Sequence, residues 1–452
     1  LKGVQEGDYS MIMGYPGRTQ RFQTAAQLQQ MIQTNRIRID ARTVRQALMW
    51  EAMCADPSVQ LKYANKYASS ANGWKKWQGE ELAFKNLDII GREEAKEKAL
   101  NDWIDASPER AKAYGGAIET IAADVEANAA DNLAVTLATE APLRIELLSL
   151  AASFFRSAAI VKDSVSILTA LEAVKPAYRD YVEPLDRKEA VALLSFYRDK
   201  AAPEDYPDGL GEDFATMDIP AYVDNLFNTS AFTSYEKLSE AAGAQDWNTF
   251  FSDPAYTLYN SIVEVALAHY RKLYGEPDTT VDGARKAYAA ALLDWKKGEP
   301  SYPDANFTMR LTYGNVLPYS PKDALVYKHF TTLKGVMEKE NPDDPEFIVP
   351  AGLKALYERD DYGAYADKDG TLHTCFLTNN DITGGNSGSP VLNARGELIG
   401  LAFDGNWESM SSDVMFEPDL QRCICVDIRY VLFVMDKLGG AGYLLNEMKL
   451  VK

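Results

Sequence analysis

Gly384-Gly385-Asn386-Ser387-Gly388-Ser389-Pro390 is the stretch on which the reading of this chain turns. Three glycines around a serine permit backbone angles and close approaches that side chains block, so the amides near Ser387 can face a substrate oxygen. Pro390 ends the turn, Val391-Leu392 opens a buried strand, Asn393-Ala394-Arg395-Gly396 is a hairpin loop, and Glu397 to Phe403 is the returning strand. A serine nucleophile presented ahead of a β-hairpin is one reading. An ordinary glycine-rich turn is the other, because G-x-S-x-S is short enough to recur by accident. The elbow motif of the α/β-hydrolases is not met, since Ser389 stands where that motif needs glycine.

Outward from this turn, Leu372 to Leu377 reads as the strand before it and Cys423 to Asp427 as one after it. Phe307, Met309, Leu311 and Tyr313 alternate along a further strand ending at Gly314. The stretch Ile428 to Lys437 fits either a strand or a helix, with Gly439-Gly440 favouring a helix stop. Near the start, Glu6 to Gly17 reads as a strand between two turns with no sequence neighbour to pair with. From Thr24, a plausible N-cap, the apolar period becomes helical for more than two hundred residues. Leu143, Leu147, Leu150, Ala151 and Phe154 form one stripe; Ile262, Val265, Ala266, His269 and Leu273 form another. No fixed-period repeat is present. The economical architecture is α+β: a β-barrel interrupted by an inserted helical domain, with Asp8 to Tyr15 returning to pair near Phe307 to Gly314. The expected bounds are 1–18 for the first strand, 19–302 for the insertion and 303–452 for the rest of the barrel.

Composition narrows the partners. The 452 residues suffice for two or three domains with a sizeable core. Acidic residues outnumber basic ones 66 to 47, a formal charge of −19 that repels nucleic acid and anionic lipid. No run approaches the roughly 18 apolar residues of a membrane span, so a soluble protein without membrane or nucleic-acid partners is expected. The chain opens on Leu1 with no signal-like core and reads as a processed or truncated product. Cys54, Cys375, Cys423 and Cys425 lack zinc spacing, and Cys423 and Cys425 share one strand face as packed thiols.

Several segments together resemble the bacterial serine dipeptidyl peptidases of the dipeptidyl peptidase 7 and 11 type. They are Glu6-Gly7-Asp8 to Thr19, Tyr67 to Asn72, Thr331 to Val336, Asn380 to Pro390, Phe403 to Glu408 and Val426 to Phe433, in the family's order along the whole chain. The resemblance implies the C-terminal barrel of a chymotrypsin-like double-barrel protease carrying a large helical insertion that roofs the cleft. It implies that Ser387 is the acylated nucleophile, with the amides of Gly385 and Ser387 as oxyanion hole. Asn72 and Asp404 then match the positions that hold the free α-amino group of an oligopeptide, so that dipeptides are released. Read without the family, Asn72 could equally be a helix-terminal cap and Asp404 a turn-forming residue before Gly405. The branch that cleaves after acidic residues carries Arg where this chain has Gly405, so the resemblance implies a preference for a hydrophobic residue at the second position. It further implies a periplasmic setting, a possible homodimer, and neither metal nor organic cofactor.

A serine of this class needs a histidine base and a carboxylate to orient it. In the family both lie upstream of the segment matching Leu1, so an upstream catalytic barrel carrying His and Asp is an expected partner and the isolated chain is expected to be nearly inactive. His269, His329 and His373 are the histidines present, and none reads as the base. His269 lies on an apolar stripe as a core histidine would, and His373 sits in a strand where alternation accounts for it. Two alternatives stand beside the dipeptidyl peptidase: a fragment that binds peptide N-termini without hydrolysis, and a chymotrypsin-like endopeptidase lacking the amine anchor.

Overall fold

The computed structural model describes residues 1–160, 167–211 and 213–451. It divides into two units: Leu1–Gln23, Leu82–Ile89 and Gly298–Lys452 form one, and Thr24–Glu81 with Ile90–Lys297 the other.

The first unit is built on strands β1 (Tyr9–Gly14), β2 (Arg310–Asn315), β3 (Tyr319–Lys322), β4 (Leu325–Tyr327), β5 (Phe330–Thr332), β6 (His373–Thr378), β7 (Pro390–Leu392), β8 (Leu398–Gly405) and β9 (Cys423–Asp427). Seven pair in the order β2-β1-β7-β8-β9-β6-β5, and β3 with β4 makes a separate hairpin. All their ladders are antiparallel. Strand β1 does find its partner at the far end of the sequence: Tyr9 faces Asn315 and Gly14 faces Arg310. Along β1 the alternation turns Ser10, Ile12 and Gly14 inward. Ile12 joins Val4, Val316, Phe376, Val391, Ala402, Cys423 and Cys425 in one core.

Strand β2 begins at Arg310 rather than Phe307, because Phe307 has φ 62, a left-handed angle no strand residue adopts. A β-barrel was expected, and the described ladders give a seven-stranded sheet with β2 and β5 at its ends. Past β2, Val316 bridges to Thr378 and the Leu317 amide donates to the Leu377 carbonyl at 3.2 Å. The next residue is Pro318, which has no N–H to carry the pairing on. Ile428–Phe433 is a helix, capped by Asp427, whose side chain accepts the Arg429 amide at 2.8 Å. The strand alternative for that stretch falls away.

The helical unit opens with α1 (Ala25–Ala55), and Thr24 is its N-cap as the sequence suggests. Thr24 and Gln27 form a reciprocal capping box. A second long helix, α2, runs from Pro57 to Asn86. Of the stripe, Leu147, Ala151 and Phe154 are buried in the main core with Leu193, Phe214, Phe232 and Ile262, and Leu150 is buried outside that cluster. Asp186 pins the start of the helix Glu146–Ile160: its two oxygens accept the amides of Glu146 and Leu147, each at 2.7 Å. Burial, with Glu146 nearby, pushes this carboxyl up to about 8.

His269 is not the apolar core residue its position on the stripe suggests. Its ring nitrogens contact Asp131 at 2.5 Å and Asp205 at 2.8 Å, so it is a polar tie. All four cysteines are free, with the Sγ atoms of Cys423 and Cys425 3.5 Å apart in the sheet core. Among the described residues no helix is long and apolar enough to cross a membrane.

Candidate active site

Ser387 lies between β6 and β7 on a turn whose every bend is tied down. The Asn386 amide donates to the Thr383 carbonyl at 3.1 Å, the Ser389 amide to the Asn386 carbonyl at 2.9 Å, and the Gly388 amide to the Ala402 carbonyl at 2.7 Å. Asn386 is only 2% exposed and its side chain accepts the Thr383 amide at 3.2 Å, closing the turn from inside. The segment after β1 packs against it: the Gly17 amide donates to the Gly384 carbonyl at 2.7 Å. Gly385 has φ 106, and a Cβ there would lie 2.4 Å from the Tyr15 carbonyl oxygen. Gly14 faces the turn from the other side, where a Cβ would meet Ser389 Oγ at 2.3 Å. The glycine pattern is thus an outcome of close backbone approach.

The Ser387 hydroxyl is exposed and donates to the Phe403 carbonyl at 3.2 Å. That carbonyl sits at the irregularity in the β8–β9 ladder between Ala402 and Asp404, a bulge beside the serine. The amides of Gly385 and Ser387 donate to no acceptor among the described residues. A hydroxyl beside two unused amides can present a nucleophile and polarise a carbonyl. A backbone carbonyl cannot take the hydroxyl's proton, and no imidazole among the described residues is bonded to it.

Six residues before the serine, Asp381 is clamped by Arg21, which the sequence reading passed over. Arg21 Nη1 and Nη2 reach the two Asp381 oxygens at 2.6 and 2.8 Å, and Tyr302 donates to Asp381 at 3.0 Å. Arg21 also donates to the Ser412 carbonyl at 2.8 Å through Nη2. Burial and the Asp381 charge hold the Tyr302 hydroxyl above its ordinary value. Next to Asp381, Asn380 is buried and accepts from Ser10 Oγ at 2.7 Å. The only sequence signal for the clamp is that Arg21 follows Gly17-Arg18-Thr19 in a segment already picked out as informative.

Asp404 is exposed on β8 and accepts the Gly405 amide with one oxygen at 2.8 Å. It belongs to the strand, so the turn-forming alternative does not hold. Beside it, Phe403 and Trp407 are 45% and 46% exposed. A Cβ on Gly405 would meet Ser409 Oγ at 2.2 Å, so any side chain there must displace that hydroxyl from its bond to the Asn406 carbonyl. Asn406 is buried and fixes this wall, accepting the Arg422 amide at 2.8 Å and donating to the Leu420 carbonyl at 2.8 Å.

Asn72, in the helical unit, is exposed in the middle of α2. The cap alternative is thereby overturned. The helix around it is held to α1: Arg42 donates to the Ser70 carbonyl at 3.0 Å and pairs with Glu140, and Trp74 Nε1 donates to Thr43 at 2.8 Å. Burial holds both His329 and His373 below the usual imidazole range, with His329 3.8 Å from Glu6.

The sequence pattern of the peptidase S46 family matches residues 1–450. The chain is 41% identical to dipeptidyl-peptidase 7 of Phocaeicola vulgatus over 467 aligned residues, covering all of this chain and 64% of that protein. It is 39% identical to the Asp/Glu-specific dipeptidyl-peptidase of Porphyromonas gingivalis, with the same coverage. The crystal structure of Porphyromonas endodontalis DPP11 in complex with the dipeptide Arg-Glu superposes with a TM-score of 0.89 at 34% identity, over 99% of this chain and 65% of that one. The chain therefore spans a little under two thirds of the length of these relatives.

Proposed function

The chain belongs to the peptidase S46 family, and on that premise we propose that it carries the nucleophile half of a serine dipeptidyl peptidase. One observation carries the reading: an exposed Ser387 hydroxyl on a rigid turn whose Gly385 and Ser387 amides are unused among the described residues. Ser387 attacks the carbonyl after the second residue of an oligopeptide, and those two amides receive the oxyanion. A preorganised donor of this kind contributes about 3 to 4 kcal/mol in the transition state. The general base that takes the Ser387 proton passes it to the amine of the departing peptide as the C–N bond breaks, and water, activated by the same base, then hydrolyses the acyl-enzyme to a free dipeptide. The base and its carboxylate belong to sequence outside this chain, since Ser387 Oγ meets only a backbone carbonyl here. The sheet is, in this reading, a chymotrypsin-like barrel, supported by the bridge from Val316 to Thr378.

Asp404, exposed and with one oxygen uncommitted, holds the substrate's α-ammonium group; Asn72 carries the same assignment from its own unit. An amine anchor sets the length of the piece released. Gly405 brings no positive charge to the specificity wall, and Phe403 with Trp407 offer apolar surface beside it. The second residue of the substrate is accordingly hydrophobic. Relatives named for Asp/Glu specificity and relatives named dipeptidyl-peptidase 7 are similarly close, so the wall rather than overall identity supports this choice.

The test joins this chain to the remaining third of a relative's length and measures dipeptide release from a substrate panel. Leu, Met and Phe at the second position should outrun Asp and Glu, and Gly405→Arg should reverse that order. Asp or Glu ahead in the unaltered protein would sink the assignment. Blocking the substrate N-terminus should abolish turnover, whereas an endopeptidase would keep it. A second reading, binding of peptide N-termini without hydrolysis, is favoured by the base-free serine, and release of dipeptide by the unjoined chain would exclude it.

A further inference from the structure

The turn that leads into β6 gathers a set of candidate ligands upstream of the serine turn. Asp367, Asp369 and His373 each offer one ligand atom, and these atoms lie within 4.8 Å of one another. Hydrogen bonds already shape the loop around them. The Asp367 amide donates to the Thr371 carbonyl at 2.8 Å, and Asp369 Oδ1 accepts from the Thr371 amide at 2.9 Å and hydroxyl at 2.7 Å.

An acidic turn alone would mean little; the histidine is the second observation. His373 is 5% exposed, stacked on Phe330 with ring centroids 4.0 Å apart, and neither ring nitrogen has a hydrogen-bond partner. A buried imidazole without partners forfeits the bonds it made in water, at a cost that native structures seldom leave unmet. Its Nδ1 points toward Asp367, 3.7 Å from Oδ2, too far for a hydrogen bond.

Charge points the same way. Arg429, 1% exposed, is already neutralised by Asp427, which it grips through Nε and Nη2, and it also donates to Asp367 Oδ2 at 2.7 Å. Two carboxylates, Asp427 and Asp367, thus meet one buried guanidinium, leaving an excess of negative charge to which Asp369 adds.

We propose that Asp367, Asp369 and His373 bind a divalent transition cation, zinc by preference, which locks this turn to the first residue of β6. One imidazole with two carboxylates suits zinc better than calcium, which takes oxygen ligands alone. Bonds of about 2.0 to 2.2 Å require the ligand atoms to close in by roughly 1 Å. Asp369, exposed on the turn, supplies that movement, and solvent completes the shell. The site is structural, and the cation takes no part in the serine chemistry.

The test is calorimetric titration of zinc chloride into the tag-free, chelator-treated chain. One equivalent should bind with a dissociation constant of about 10 µM, and zinc should raise the melting temperature. Asp369→Asn, an exposed change that leaves the fold intact, and His373→Phe, which keeps the stack on Phe330, should each weaken binding tenfold or more. Cobalt should give visible ligand-field bands that His373→Phe removes. Binding no tighter than about 1 mM, equal affinity in Asp369→Asn, or calcium matching zinc with His373→Phe unchanged would each overturn the proposal.

Discussion

Two asparagines assigned to one reaction are built in opposite ways. Asn386 is buried, closes the serine turn by accepting the Thr383 amide, and sits on a loop anchored to the segment after β1 through Gly17 and to β8 through Ala402. Asn72 is exposed in the middle of a helix, where asparagine is a poor helix former and no structural role explains it. The turn spends its polar groups on itself and leaves two amides unused, whereas Asn72 keeps its amide in water. A site that must hold reacting atoms to a fraction of an ångström is rigid before substrate arrives, and an anchor for a flexible chain end need not be.

Four experiments break or sharpen that contrast. Ser387→Ala in the joined protein should lower kcat on the order of 10⁶-fold while leaving the melting temperature unchanged; turnover surviving at a tenth of the original would place the nucleophile elsewhere. Arg21→Met leaves Asp381 without its guanidinium. Because both side chains retain some exposure, 16% and 21%, the loss should be about 3 kcal/mol, the low end for a broken buried pair. If the clamp positions the serine turn, kcat should fall with KM little changed, and Arg21→Lys should recover part of it.

Asn386→Ala and Asn72→Ala should then move in opposite directions on stability. The first orphans a backbone amide and should cost about 1 to 3 kcal/mol; the second replaces a poor helix former and should stabilise by about 0.5 kcal/mol. The second should nevertheless lower kcat/KM by about tenfold to a hundredfold through the lost amine contact. Urea melts of the two variants decide the first half, and steady-state kinetics the second.

A last experiment asks whether the helical unit has an internal pin comparable to Asn386. Asp186 titrates at 3.8 when unfolded and is raised to about 8 in the fold. Between those values the unfolded chain has lost a proton the folded one keeps, so this group's contribution to stability should fall as pH rises across the window. Comparing urea midpoints of the parent and Asp186→Asn from pH 4 to 8 reads that slope; identical slopes would remove Asp186 as its source.

Local signals carried much of this structure. Glycine spacing marked the serine turn, flanking turns marked β1, the loop Asn393 to Gly396 marked the β7–β8 hairpin, and Thr24 marked the start of the first helix. Pairing β1 with β2 was legible because a lone strand needs a partner. What stayed hidden depends on three-dimensional meetings. The left-handed angle at Phe307, the bond from Arg21 to Asp381 across 360 positions, and the two carboxylates on His269 leave no periodic trace. Nor did the Asp-x-Asp-x-x-x-His spacing before β6 stand out, since its meaning depends on His373 being buried without partners.

The pairing of β1 with β2 also sets an order of events at the ribosome. At about 5 to 20 residues per second, Tyr9–Gly14 emerges roughly 15 to 60 s before its partner strand exists. Throughout that interval Ile12 has no sheet to enter, while the intervening helices can already form their own core. Newly made chains are therefore most open to chaperone capture, or to mispairing with a neighbouring nascent chain, along one six-residue strand.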